Sequence, residues 1–366
     1  YAVDSGTPCS TQVAIDVLEK GFNAVDAAVA AVLMLNVTFG EAASFPGVSP
    51  VKFYDARRNQ VRSYIGAGSA PKKATIELFR GRGHDKVPDL NILAQLLPAS
   101  PDVMVRLLQD HGTLSFSELV KPAIERARSG FPVHHTMAKN LDLTLAERLG
   151  FRFLLPTSSE VYFGKRWWLP LRQNDHFRRP ALADTLEALA LAEHEALQAG
   201  ATRREALEAV RTFFYEGPIA RQIDEFHAQE DGLISYEDLA SYQGGWEEPL
   251  AGSFGQYTIY VNGTWSQGVV VPMVLQLLDL KNLHSMEHNS ADYIHLLIQA
   301  IDLAMADREA YIADTAFVDV PLRTLLSRDY ANQRMKAMTQ LAFPSMPDAG
   351  RVDGQALTYA PTQIDA

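Results

Sequence analysis

A serine between a predicted strand and a predicted helix is the first residue whose neighbours suggest catalysis. The segment Thr264-Trp265-Ser266-Gln267-Gly268 is close to the nucleophile elbow of serine hydrolases, a sharp turn that exposes the serine hydroxyl. Such an enzyme also needs an acid and then a histidine downstream, and the spacing offers no convincing pair. The first glycine of the elbow is replaced by Thr264. We therefore interpret Ser266 as the cap of a following helix, and keep a serine hydrolase as an alternative.

Two pairs of residues that include histidine have spacings that could suit a metal site. Asp292 and His295 are three residues apart, so they share one face of a predicted helix, as metal ligands can. A third ligand does not follow at a consistent spacing, and a hydrogen-bonded structural histidine is the preferred interpretation of His295. The pair His134-His135 lacks a nearby cysteine or third histidine. We predict no metal and no cofactor.

Three further features have ordinary structural explanations. Gly66-x-Gly68 lacks the third glycine of a dinucleotide-binding loop. Cys9 lies near a helix start without a histidine to serve it, which favours a small, half-buried cysteine. Asp307-Arg308 near the end of a long helix predicts an ion pair to a neighbouring element. The sequence therefore shows no complete catalytic set, and this suggests part of a larger catalytic unit.

The composition is that of a globular protein rather than a nucleic-acid or membrane-surface binder. The 366 residues are 47% hydrophobic and 21% charged, and the net charge of −11 comes with no long basic run. We therefore predict neither nucleic acid nor a membrane as a partner. A single cysteine excludes an intramolecular disulfide and leaves the compartment open between the cytoplasm and export to the periplasm or outside. The first residue is not Met and the last residues are polar, so we expect both ends to be cut.

One helix must lie inside the molecule and organise the rest. Residues 24–37 contain only two polar residues, and a helix that is apolar on every side cannot face water. Asn23 is a suitable N-cap, and Asp26 in the first turn suits the positive end of the helix. The segment is too short and too rich in alanine to span a membrane. It therefore predicts a buried central helix.

The other predicted elements follow in order and give an α/β body rich in helix. A first helix over 12–20, capped by Ser10 or Thr11, precedes the central one. A hairpin, 51–55 and 60–65, leads into the small-residue bend 66–71, where backbone can lie against a ligand. The remaining predictions are helices over 101–109, 116–129 (divided at Pro122), 181–198, 203–215, 218–228, 235–242, 269–280, 290–313 and 330–341, a strand over 257–261, and an irregular segment over 154–175.

The buried helix and the later motifs resemble those of the γ-glutamyltranspeptidase family. Residues 22–37, FNAVDAAVAAVLMLNV, resemble its GGNAVDAAVAAALALGV signature. Further motifs agree in type and order across nearly the whole chain. They are Leu114-x-Phe116-x-Glu118-Leu119-Val120 with Pro122-Ala123-Ile124 and Gly130-Phe131-Pro132-Val133, Phe214-Tyr215-x-Gly217-x-Ile219-Ala220, Gly232-Leu233-Ile234-Ser235-x-Glu237-Asp238-Leu239-Ala240-x-Tyr242, and His295 with Ala304-x-Ala306-Asp307-Arg308-x-x-Tyr311.

The resemblance implies an N-terminal nucleophile hydrolase with an αββα sandwich, completed by a second, small subunit. In this family a precursor cleaves itself, and the new N-terminal Thr of the small subunit is the nucleophile, with its own α-amine as the base. The catalytic residue would then lie on the partner chain and none on this one. We expect 1–366 to be a single domain, with about 342–366 as a polar tail leading to the cleavage point. A dimer of such heterodimers is a further alternative.

Departures from the family pattern concern the substrate. Family members that act on γ-glutamyl groups carry an Arg and a Glu before an Ala-Pro pair, and aligning on Ala70-Pro71 places Ala67 and Gly68 there. The family's glycine-rich loop reads SFPGVSP over 44–50. A methyl group cannot replace an arginine that binds a carboxylate. The resemblance therefore implies an amidohydrolase or acyltransferase acting on a non-γ-glutamyl or small amide.

The predicted substrate-binding residues are Phe45, Ala67, Gly68 and Ser69. Two alternatives stay open beside this prediction. One is a true γ-glutamyl hydrolase or transpeptidase. The other is a non-catalytic relative that acts as a binding protein.

Overall fold

The computed structural model describes residues 1–89, 91–281 and 283–352, without the side chain of His284. The helices are α1 (Pro8–Glu19), α2 (Ala24–Thr38), α3 (Ile76–Gly81), α4 (Ser100–Asp110), α5 (Phe116–Ser129), α6 (His135–Asn140), α7 (Leu145–Leu154), α8 (Pro156–Phe163), α9 (Pro180–Gln198), α10 (Arg203–Tyr215), α11 (Pro218–Gln229), α12 (Tyr236–Ser241), α13 (Val270–Asp279), α14 (Ala291–Tyr311), α15 (Leu322–Leu325) and α16 (Arg328–Met335). The strands are β1 (Val51–Asp55), β2 (Gln60–Ile65), β3 (Phe131–Pro132), β4 (His176–Phe177), β5 (Gly245–Glu247), β6 (Leu250–Phe254) and β7 (Tyr257–Val261). This mixture of helices and sheets confirms the predicted α/β class.

The chain forms two compact units. The first contains Tyr1–Ser49 and Gly66–Gly244, and the second contains Pro50–Ile65 and the chain from Gly245 onward. The single-domain organisation of 1–366 stays a prediction. The predicted tail over 342–366 is described as far as residue 352, and the rest of it lies outside the described residues.

Helix α2 is the buried centre of the first unit, as the sequence predicts. Asn23 caps it, since its side-chain oxygen accepts from the amides of Val25 and Asp26 at 2.8 and 3.0 Å. The carboxylate of Asp26 is buried and accepts from the amide and the hydroxyl of Thr113 at 2.8 and 2.6 Å. The helix packs against α1, α4 and α5. Its first turn therefore ties the central helix to the loop before α5.

Reciprocal caps define the starts of several helices around this centre. In each, a Ser or Thr side chain accepts from a backbone amide three residues on, and an acidic residue there bonds back to the cap. The pairs are Ser115 with Glu118, Thr144 with Glu147, Thr202 with Glu205, and Ser235 with Asp238. The last pair confirms the predicted cap of α12.

Two predicted helices differ from the structure at a proline. Helix α1 begins at Pro8 and is capped by Thr7, not by Ser10 or Thr11, because proline suits the first position of a helix. Pro122 does not divide α5, which continues through it to Ser129. The cap at Ser115 and the packing of α5 on α2 and α9 outweigh the local cost of the proline.

Two other predictions miss a boundary or an element. The segment 154–175 is not wholly irregular, because it contains α8 and a 3-10 turn over Gly164–Arg166. Helix α8 begins at a proline and is followed by Gly164 with φ 57°, a conformation that favours glycine. The last helix ends at Met335, not at residue 341.

The second unit contains the predicted hairpin with the predicted bounds. Strands β1 and β2 pair antiparallel, with Val51 opposite Tyr64. Strand β5 adds to the other edge of β2, with Trp246 opposite Tyr64, which gives the order β1-β2-β5. A second hairpin, β6 and β7, packs against α13. Among the described residues, no helix has both the length and the apolar character that crossing a membrane demands.

Candidate functional site

The two stretches predicted to bind substrate lie side by side in the first unit. The amide of Ser49, at the end of the loop that contains Phe45, donates to the carbonyl of Gly66 at 2.7 Å. Gly66 directly precedes Ala67 and Gly68. The predicted residues therefore belong to one local structure, although their role in binding stays a prediction.

A third stretch, which the sequence analysis missed, joins them. The amide of Leu97 donates to the carbonyl of Ser69 at 2.9 Å, and the amide of Ser100 donates to the carbonyl of Gly47 at 2.9 Å. The hydroxyls of Ser49 and Ser100 are also hydrogen-bonded, at 2.9 Å. Residues 44–49, 66–69 and 97–100 thus form one backbone unit, which we call the three-segment site. The only sequence signal for the third stretch is the start of α4 at Ser100-Pro101.

Gly68 is where two of these segments come closest. A Cβ atom at this position would lie 1.7 Å from the carbonyl oxygen of Leu97 and 2.6 Å from its carbonyl carbon. Both atoms are backbone, so they cannot turn away as a flexible side chain can. In this conformation only glycine fits, and a Glu at position 68 is excluded.

The predicted residues differ in their exposure. Ser69 is exposed and Ala67 is half-buried, whereas Gly68 is buried. The side chain of Phe45 is 4% exposed and meets the ring of Phe214 edge-on, with ring centroids 5.9 Å apart. Phe45 therefore anchors its loop in the apolar core, and its contact with a substrate stays a prediction.

A buried ionic network lies behind the three-segment site. The guanidinium of Arg211 donates to Asp102 Oδ1 at 2.6 Å and also to the carbonyl oxygen of Tyr242. Burial alone would lower the pKa of Arg211, but the hydrogen bond and the negative charge of Asp102 raise it. The hydroxyl of Tyr215 donates to the carbonyl of Pro98 at 2.8 Å. This network connects α4 and α10 to the stretch that precedes Ser100.

Burial moves the pKa values of the two tyrosines in this network further above neutrality. It raises the pKa of Tyr215 well above the ordinary value, and the nearby charge of Asp102 adds to the effect. The pKa of Tyr242 is raised for the same two reasons, with burial again the larger. The rings of Tyr215 and Tyr242 are stacked, with centroids 5.4 Å apart. Both hydroxyls are therefore hydrogen-bond donors and not bases at neutral pH.

Ser266 has the role that the sequence analysis preferred. Its hydroxyl donates to the carbonyl of Gly263 at 3.0 Å and accepts from the amide of Gly268 at 3.2 Å. These bonds cap the 3-10 turn Gln267–Val269, which leads into α13. The hydroxyl is thus engaged in local structure.

The histidines also have structural surroundings. His295 Nε2 lies 2.9 Å from the carbonyl oxygen of Thr339 and 2.7 Å from Gln299 Nε2, so the hydrogen-bonded interpretation is confirmed. His134 caps α6 with Nδ1, which accepts from the amide of Met137 at 3.2 Å, and its Nε2 lies 3.2 Å from Glu41 Oε1. Across the described part of the chain, no three His, Cys, Asp or Glu side chains are grouped to hold a metal.

Two other residues occupy the predicted settings. Cys9 is half-buried in α1. Asp307 forms a buried ion pair with Arg334 at 3.0 Å, which links α14 to α16. Burial raises the pKa of the Asp307 carboxyl even though Arg334 opposes this. The sequence predicted an ion pair to a neighbouring element here, but it did not predict that the partner of Asp307 is Arg334 in α16.

Similarity to known proteins defines first the fold and then the family. The structure is similar to the crystal structure of Helicobacter pylori gamma-glutamyltranspeptidase, with a TM-score of 0.82 and 27% identity over 94% of this chain and 93% of that one. This confirms the predicted N-terminal nucleophile hydrolase fold. The gamma-glutamyltranspeptidase family model matches residues 10–362, and the chain belongs to this family.

Curated relatives of the chain are enzymes made as precursors. It is 29% identical to the glutathione hydrolase-like YwrD proenzyme of Bacillus subtilis strain 168, over 96% of this chain. It is 28% identical to the acylase ACY 1 proenzyme of Pseudomonas sp. strain SE83, over 95% of this chain. The chain spans 61% and 60% of the lengths of these two relatives.

Proposed function

We propose that this chain is the large subunit of a γ-glutamyltranspeptidase-like amidohydrolase or acyltransferase. Its nucleophile would be the N-terminal Thr of a small subunit cut from the same precursor. Membership of the family supports this, as does the naming of both relatives as proenzymes of which the chain spans about 60%. The engagement of Ser266 as a cap argues against a serine nucleophile in this chain.

The reaction would proceed through an acyl ester on that Thr. The hydroxyl adds to the amide carbonyl while the α-amine of the same residue takes its proton. The carbon–nitrogen bond then breaks, and the amine leaves with that proton. Water or a second amine finally takes the acyl group and restores the hydroxyl. The part of this chain would be to bind and orient the acyl group through the three-segment site.

The acyl group would lack an α-amino-acid end. The observation that carries this proposal is the close approach of Gly68 to Leu97, next to Ala67 at the family's Arg position. Neither position provides a charge or a side-chain donor for an α-carboxylate. A hydrogen bond to a charged group contributes about 1.5–3 kcal/mol, or about 10- to 100-fold in affinity. Without this hydrogen bond, a γ-glutamyl group has no advantage in affinity over a plain acyl group.

A γ-glutamyl substrate is the second candidate. It is favoured by the name of the YwrD relative, a glutathione hydrolase-like proenzyme. The two candidates differ in one measurable quantity, the preference between acyl groups with and without the α-amino acid.

The processed two-chain protein distinguishes them with three p-nitroanilides. The γ-glutamyl probe carries both α-groups, the glutaryl probe keeps only the carboxylate, and the butanoyl probe lacks both. We expect kcat/KM for butanoyl-p-nitroanilide to equal or exceed that for γ-glutamyl-p-nitroanilide, because the charged α-groups lose water on binding and gain no charged partner at positions 67 and 68. Faster release from the γ-glutamyl probe would support the second candidate. No release from any probe would support a non-catalytic binding protein.

The substitution Ala67→Arg tests the assignment of position 67. We expect it to raise the ratio of γ-glutamyl to butanoyl kcat/KM by about tenfold, because it restores a carboxylate partner. Ala67→Met is the control of similar length without charge, and it should leave the ratio unchanged. An equal ratio in both variants would show that residue 67 does not face the acyl group.

A further inference from the structure

Helix α12 and the residue after it contact the segment 67–72 at two points. The amide of Lys72 donates to Asp238 Oδ1 at 3.2 Å, and the hydroxyl of Tyr242 lies 3.4 Å from the carbonyl oxygen of Ala67, to which it donates. Asp238 lies in α12, and Tyr242 directly follows the last residue of this helix, Ser241. They are 2% and 6% exposed, so neither contact competes freely with water.

Hydrogen bonds at the start of α12 fix the carboxylate of Asp238 independently of its contact with Lys72. Its Oδ2 atom accepts from the amide and the hydroxyl of Ser235 at 3.1 and 2.8 Å, in the reciprocal cap of α12. One oxygen therefore belongs to the helix start, and the other is aimed at the amide of Lys72. The same side chain orders the helix and holds the segment.

Tyr242 is held at its backbone carbonyl, at the backbone that follows it and at its ring. Its carbonyl accepts from the buried guanidinium of Arg211, and the amide of Gly244 donates to Asp102 Oδ2 at 3.2 Å. The stacked ring of Tyr215 limits rotation of the phenol ring. The hydroxyl at the far end of this ring consequently has a set position, and the long contact to Ala67 is kept by rigid surroundings.

We propose that Asp238 and Tyr242 are positioning residues that hold the segment 67–72 from α12 and thereby set the affinity for the acyl group. The proposal rests on the proposed function, in which Ala67 and its neighbours contact the substrate. It explains why a buried Asp lies in α12 and a buried Tyr directly follows this short helix. Neither side chain takes part in bond breaking.

The variant Tyr242→Phe removes the hydroxyl and keeps the stacked ring. Its control is Tyr236→Phe, because Tyr236 also lies at α12 and donates to a carbonyl, that of Glu216 at 2.8 Å, away from the segment. Both variants are made in the processed two-chain protein. The first readout is hydrogen exchange at the amides of Lys72 and Leu97, which bond to Asp238 and to Ser69. The second is the separate measurement of KM and kcat for butanoyl-p-nitroanilide.

We expect Tyr242→Phe to speed exchange at both amides and to raise KM by about three- to tenfold with kcat little changed. Tyr236→Phe should change neither. Exchange in Tyr242→Phe equal to that of the wild type would overturn the proposal, and so would a KM equal to that of Tyr236→Phe. If the wild type hydrolyses no probe, the proposed function fails, and the exchange comparison alone decides the positioning role.

Discussion

At the scale of single residues, the main feature of the three-segment site is that position 68 has no side chain. Gly68 lies so close to Leu97 that the backbone of 97–100 occupies the space where a side chain would begin. The neighbouring backbone is therefore fitted to glycine at 68, one of the two positions where the sequence predicts a departure from the family pattern. The sequence predicts the departure but does not show this fit.

The substitution Gly68→Ala should disturb this fit. We expect a loss of about 1–3 kcal/mol in the free energy of unfolding, because two backbone segments must separate to admit a methyl group. Urea unfolding measures the effect. Gly150→Ala is the control, since a Cβ there meets nothing within 4 Å. A helical Gly→Ala change is expected to be neutral or stabilising by up to about 1 kcal/mol. Equal stability of Gly68→Ala and the wild type would contradict the close approach.

At the scale of elements, α2 depends on its first turn. Asp26→Ala removes the buried acceptor of three hydrogen bonds, from the amide and the hydroxyl of Thr113 and from the amide of Leu114 at 3.1 Å. We expect a loss of about 3 kcal/mol or more in the free energy of unfolding. Asp16→Ala in α1 is the control, because the Asp16 side chain is exposed and, among the contacts described, bonds only to Gln12, at 2.7 Å. Its effect should stay within about 0.5 kcal/mol. Similar losses in both variants would contradict the central role of α2.

The reciprocal caps predict how stability changes in acid. Hydrogen bonds from Ser115 and Thr202 lower the pKa values of Glu118 and Glu205 below the ordinary value of 4.5. A carboxyl whose pKa is lowered in the folded state stabilises the fold above its unfolded pKa. This contribution is lost as the pH falls through the folded value.

The variant Glu205→Gln tests this dependence. Gln keeps hydrogen-bonding capacity but does not titrate, so the variant should lose less stability than the wild type below pH 4.5. Unfolding measured at a series of pH values gives the comparison. Glu195→Gln, on the exposed part of α9, serves as the control. A slope in Glu205→Gln as steep as in the wild type would count against the cap.

Elements with a local signal could be predicted, and those fixed by distant contacts could not. The residues that form the caps at Asn23 and Ser235 lie within a few positions of each other in the sequence, so the starts of α2 and α12 could be predicted. The continuity of α5 through Pro122 depends on packing against α2 and α9, which the local sequence does not contain. Strand β5 has three residues and pairs with β2 far away in the chain, so no periodic pattern marks it.

At the scale of the whole molecule, the family and fold were predictable and the complete site was not. Five ordered motifs were enough to identify the family, which the family model over 10–362 confirms. The three-segment site could not be predicted from the sequence. Residues 97–100 are joined to the predicted residues by backbone hydrogen bonds, which do not depend on particular residue types. The nucleophile is proposed to lie on the small subunit and not among the residues of this chain.

The most direct test of this account follows precursor cleavage and amide hydrolysis together in the full-length precursor. We expect a small product that begins with Thr, and we expect Thr→Ala at that position to abolish both cleavage and release of p-nitroaniline. Ser266→Ala should leave both intact. Hydrolysis that survives the Thr→Ala change, or that is lost in Ser266→Ala with cleavage intact, would contradict the central claim.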